Sequence, residues 1–231
     1  MVTARVTLTF DNGPTAGVTD HVLDVLAKHG VKSTFFACGK NLGTRAEVGL
    51  IERAHDEGHW IGNHSFTHSF SLGDSTDPAA PAAEIGRTQE LLARVTTADR
   101  LFRPPGGGGN LDRHLLSPAA VRYLKNEKYT LVLWNNVPRD WADPDGWETT
   151  CRRNMKRQQW SVVVLHDLDT GAMAGLDRAV GRMLDDGLDI VQDFPPDCVP
   201  MRRGLVTASL DHLVSPGTSD LPATTQDGQS T

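Results

Sequence analysis

The sequence predicts an α/β protein built on about seven parallel strands, and three observations predict it. Apolar runs of strand length alternate with segments of helical period along most of the chain. The strands lead into helix-like stretches rather than into tight turns and return strands, which calls for parallel neighbours. Polar residues able to do chemistry stand at the carboxyl ends of the strands, where parallel α/β folds build their sites. A length of 231 residues suits a small or incomplete βα barrel as well as an open doubly wound sheet, and periodicity does not separate the two.

The first strand, "RVTLTF", runs into "DNGP". Asn-Gly is a strong hairpin signal, but Pro14 and the helical spacing of Val18, Val22, Leu23, Val25 and Leu26, closed by Gly30, make this a strand-to-helix turn with Asp11 at its mouth. "STFFACG" is the second strand, followed by a helix over 44–57, and "HWIGNH" the third, followed by a helix over about 82–95. "LFRPP", a helix over 118–126 and "YTLVLWNN" come next. A helix over 147–158, "SVVVLHD", a helix over 173–186 and "LDIVQDF" complete the alternation. This gives one domain over 1–215. From 216 to 231 the chain lacks an apolar period and is rich in Ser, Thr, Gly and Pro, which predicts a disordered tail.

Composition narrows the function. With 39% hydrophobic and 23% charged residues the chain is of ordinary soluble globular type, and a formal net charge of -6 argues against a nucleic-acid surface. No apolar run approaches membrane-spanning length. The first strand begins by Arg5, leaving no room for a secretory signal, so the expected location is cytoplasmic as written, or outside the cell if a leader has been removed. Cys38, Cys151 and Cys198 are odd in number and widely separated, which reads as buried or idle thiols.

Asp11, His64, Arg103, Asp140 and His166 each fall at or just past the carboxyl end of a predicted strand. "HSFTH" spaces His64 and His68 four apart, on one face if the segment is a helical turn. "RPPGGGGN" has no Lys-Ser/Thr to close a phosphate loop; its glycines give either close backbone access to a ligand or a mobile loop. His166 ends an apolar strand, and Asp140 of "PRDW" stands ready to orient an imidazole and raise its pKa, with Trp141 as an aromatic wall.

Taken in order, "TFDNGP", "HSFTH", "RPPGG", "RDW" and "VLHD" resemble the five motifs of the polysaccharide deacetylases of the NodB-homology, carbohydrate esterase family 4 type. The resemblance spans residues 10–167 and implies a distorted (β/α) barrel that hydrolyses N-acetyl groups with help from a divalent metal, often on an N-acetylglucosamine polymer. It implies Asp11 as general base, Arg103 as its holder, His64 and His68 as metal ligands, and the Gly106 N–H as oxyanion donor. Asp140 then tunes the acid His166, and Trp141 and Val164 line the pocket. Where the family usually carries a second acid as third metal ligand, this chain has Asn12, whose neutral amide should hold zinc more weakly, or not at all. Gly106 replaces an aromatic, Val137 an acid and Val164 a leucine. The expected substrate is an N-acetylated carbohydrate or another small amide. The alternatives are a metal-independent amidase and a non-catalytic carbohydrate-binding relative.

Overall fold

The computed structural model describes residues 4–216, and β1 (Arg5–Asp11) lies at the heart of it. Val6, Leu8 and Phe10 point one way, into an apolar layer of helices, while Thr7, Thr9 and Asp11 point the other. The two-residue period of a strand thus carries Asp11 to the inside. After β1 come β2 (Thr34–Ala37), β3 (Trp60–Asn63), β4 (Leu101–Phe102), β5 (Thr130–Leu131), β6 (Trp160–His166) and β7 (Asp189–Ile190). These are the seven strands expected. They pair in parallel in the order β6, β1, β2, β3, β4, β5, with β7 beside the start of β1.

The choice between open sheet and barrel is decided after β5. The chain runs on from Leu131 and docks on β6: Asn136 N–H donates to Val162 O at 3.1 Å, and Val164 N–H to Asn136 O at 3.0 Å. The Asn135 side chain accepts from Val162 N–H at 2.7 Å and donates to Trp160 O at 2.9 Å. Two amides therefore draw the far side of the curled sheet onto β6 and give a distorted barrel.

Helices α1 (Val18–His29), α2 (Arg45–Asp56), α3 (Arg87–Leu91), α4 (Pro118–Asn126), α5 (Trp147–Met155) and α6 (Leu176–Asp185) cover the sheet. Their ends follow sequence signals. α1 stops at Gly30 in the left-handed region, φ 66°. α2 starts from a Thr44–Glu47 capping box, and α4 from Ser117, which accepts Ala120 N–H, with Pro118 in the first turn. The helix expected over 82–95 is divided: Ala82–Gly86 is one π-helical turn and only Arg87–Leu91 is α-helical. Two strands were not foreseen, β8 (Met201–Arg202) and β9 (Leu205–Val206), an antiparallel hairpin on the free edge of β5. Its turn residues, Arg203 and Gly204, have φ 47° and 78°, the left-handed pair that two-residue hairpins favour. The expected tail, apart from its first residue, lies outside the described residues. No helix among the described residues is long and apolar enough to cross a membrane.

The helix-facing layer joins β1 and β6 to α1, α2, α5 and α6, with Phe10 stacked on Phe35 at 5.2 Å between centroids. Phe10 is fully buried. Phe10→Ala is expected to cost about 3–5 kcal/mol, read as a lower urea midpoint at unchanged denaturant slope.

Candidate active site

The sheet register brings the carboxyl ends of β1 and β6 together. Asp11 at the end of β1 is the Cα partner of His166 at the end of β6. Both line a cavity of about 290 Å³ with Asn12, His64, His68, Gly106, Trp141 and Val164. Arg103 and Asp140 stand behind it, wholly buried, one against Asp11 and the other against His166. All ten residues singled out in the sequence thus belong to one constellation.

Arg103 follows β4 and reaches across the barrel. Its Nη1 donates to Asp11 Oδ1 at 2.8 Å and to Thr9 Oγ1 at 2.7 Å, and its Nη2 to Leu133 O at 3.3 Å. Asp11, 3% exposed, is thereby held with Oδ2 turned toward His64 Nε2, 3.6 Å away. His64 Nδ1–H donates to the Arg103 carbonyl at 2.8 Å, which fixes the tautomer and leaves the Nε2 lone pair free.

"HSFTH" is not a helical turn. Ser65 and His68 have positive φ, 64° and 50°, and the loop is shaped from outside the barrel. Glu84, in the π-helical turn, accepts from Phe66 N–H, Thr67 N–H and the Thr67 hydroxyl at 3.0, 2.9 and 2.8 Å. The two imidazoles still meet, 4.9 Å between ring centroids. Burial lowers the pKa of both, that of His64 to about 3, so both are neutral at pH 7. Asn12 sits in the left-handed region, φ 76°, which Asn tolerates better than most residues, and its Oδ1 lies 3.8 Å from Cys38 Sγ. Two neutral imidazoles and an amide facing one cavity are a donor set that suits a divalent cation, though one with no charged ligand. Among the described residues no group of three or more His, Cys, Asp or Glu forms a metal cage.

His166 lives in the opposite electrostatic environment. Burial pulls its pKa down, but Asp140 outweighs it, accepting from the backbone N–H at 2.9 Å and from Nδ1 at 2.8 Å, with Asp11 and Asp167 adding negative field. The net shift is upward, so the imidazolium is favoured. Trp141 stands edge-on to the ring at 4.7 Å.

Three residues near the site were passed over in the sequence. Trp134 and Leu168 line the cavity; Trp134 read there as part of an apolar strand, which gave no signal of a wall. Asp167 is 1% exposed, accepts from Thr19 Oγ1 at 2.5 Å and has no partner for Oδ1 among the described residues. Burial raises its pKa to about 6. Its carboxylate fills the space a side chain at Gly13 would need, so only glycine fits at that turn.

The electrostatic assignment has a direct readout. The His166 imidazole is expected to titrate above its ordinary 6.5 in an NMR pH series. Asp140→Asn should move that midpoint down, since the charge is lost and the burial stays.

Several known proteins are similar to this chain. The model of the polysaccharide deacetylase family matches residues 3–126. A peptidoglycan-N-acetylglucosamine deacetylase of Bacillus cereus is 31% identical over 165 residues, 70% of this chain and 72% of that protein. One of Listeria monocytogenes is 28% identical over 81% of this chain but 37% of its own length, so the chain spans little more than a third of that relative. Among solved structures, a family 4 acetyl xylan esterase of Clostridium thermocellum in complex with a cobalt ion aligns with a TM-score of 0.65 at 27% identity, covering 81% of this chain and 87% of that one. With the family model covering more than half of its 231 residues, the chain belongs to the polysaccharide deacetylase family.

Proposed function

We propose that the protein hydrolyses the N-acetyl amide of a carbohydrate, with Asp11 as general base and His166 as general acid. The observation that carries this reading is the register pairing of Asp11 with His166 across β1 and β6, each gripped by its own buried partner. Asp11, acceptor-only and fixed by Arg103, takes a proton from the attacking water. The Gly106 N–H donates to the oxygen that gains charge, a contribution of roughly 3 kcal/mol for one such donor. His166, whose pKa Asp140 raises, gives its Nε2 proton to the departing nitrogen, and the products are a carboxylate and an amine. Relatives named as peptidoglycan-N-acetylglucosamine deacetylases support an acetylated aminosugar as the substrate class.

The cobalt ion of the esterase neighbour supports a divalent cation here too, zinc being our reading, with Asn12, His64 and His68 as the residues that would hold it. When bound, it would supply Lewis-acid polarisation of the amide carbonyl. Asn12 brings no charge, so affinity is low. The same residue favours one second reading, a metal-independent amidase.

Acetate release from N-acetylglucosamine oligomers tests the function. Asp11→Asn and His166→Ala are each expected to lower kcat by about 100- to 10,000-fold. Acetate release that survives both substitutions would sink the assignment, and turnover unaffected by chelator would select the metal-independent reading. In a separate competition against a chromophoric chelator, Asn12→Asp is expected to bind added zinc more tightly than the native protein; equal affinity would remove Asn12 from the ligand set.

A further inference from the structure

The wall that the resemblance assigns to an aromatic at position 106 is built here from the segment that follows β5. A Cβ on Gly106 would lie 2.5 and 2.7 Å from Cη2 and Cζ2 of Trp134, closer than side-chain carbons approach, and 3.4 Å from Leu115 Cδ2. The Trp134 ring therefore occupies the volume a side chain at 106 would take. It is held firmly there. Its Nε1–H donates to Gly109 O at 2.8 Å, it is 5% exposed, and Leu115 borders the same gap. Gly109 in turn sits against Val137, whose methyls are 2.9 and 3.1 Å from where its own Cβ would be. The glycine loop and the tryptophan are thus fitted to each other.

What the ring faces follows from its neighbours. Trp134 shares the cavity lining with Val137, Val164 and Leu168, an apolar set beside the Gly106 N–H. If the substrate carbonyl oxygen lies on that N–H, the acyl carbon chain, one bond from the carbonyl carbon, meets the atoms that border Gly106, and the Trp134 ring edge is foremost among them. We propose that Trp134 sets the upper size of the acyl group this protein removes, admitting acetyl and excluding longer chains. This rests on the amide-hydrolase reading given above. Glycine at 106 is then the counterpart of Trp134: any side chain there drives the ring into the acyl space.

The test is the ratio of kcat/KM for N-butyryl against N-acetyl glucosamine oligomers. The native protein should favour acetyl, and Trp134→Leu should raise the butyryl-to-acetyl ratio about tenfold or more, the scale of one or two methylenes in an apolar pocket. Gly106→Ala alone should depress turnover of both substrates, and adding Trp134→Leu should restore acetyl turnover. A merely structural tryptophan would lower both rates together and leave the ratio unmoved, and that result overturns the proposal. Trp134→Phe, which trims the ring and keeps its character, serves the same comparison if the leucine variant does not fold. Acetate release by the native protein separates the two levels: its absence removes the hydrolase reading and this inference with it, whereas release with an unchanged ratio in the variants removes the inference alone.

Discussion

A single buried cation organises the barrel interior. Arg103 is wholly enclosed, and an enclosed guanidinium costs several kcal/mol unless its charge and donors are met. The charge and both terminal nitrogens are met from around the barrel: by Asp11 and Thr9 of β1, by the carbonyl of Leu133 beyond β5, and by the face of Phe36 of β2, whose ring centroid is 4.1 Å from the guanidinium carbon, while Nε has no partner among the described residues. Its backbone carbonyl also holds His64. One residue therefore fixes both the Asp11 carboxylate and the neighbouring imidazole, and it ties together strands distant in sequence.

Around that cation the site assigns opposite tasks to the same side chain. Burial keeps His64 and the half-buried His68 neutral despite the Asp11 carboxylate nearby; His166, buried too, carries Asp140 on its Nδ1 and its backbone N–H, and its pKa is raised. Neutral imidazoles suit ligation, and an imidazolium suits proton donation. The largest part of the difference is one carboxylate, Asp140, which bears on the chemistry of the cavity without lining it.

Much of this was legible from the sequence, and the limits are physical. Strands and helices with a full apolar period, such as β1, α1, β6 and α4, announced themselves, and so did the residues at strand ends, because a parallel sheet sends them to one rim. Closure of the barrel did not show in the periodicity and came only with the family resemblance, because it depends on the hydrogen bonds of Asn135 and Asn136, two polar residues with no periodic signature. The β8–β9 hairpin is two residues per strand, below the length at which alternation can be read. "HSFTH" has helical spacing but a backbone set by Glu84, seventeen and more residues away. Trp134 looked like core because the sequence does not say that Gly106 leaves it room.

The three cysteines bear on a different property. Cys38, Cys151 and Cys198 are all buried and unpaired, and burial pushes their thiols up, those of Cys151 and Cys198 to about 12. A thiol that seldom ionises is a poor partner for oxidants and for disulfide exchange. With no disulfide among the described residues and three thiols that seldom ionise, the barrel's cohesion rests on packing and hydrogen bonds rather than on cysteine chemistry.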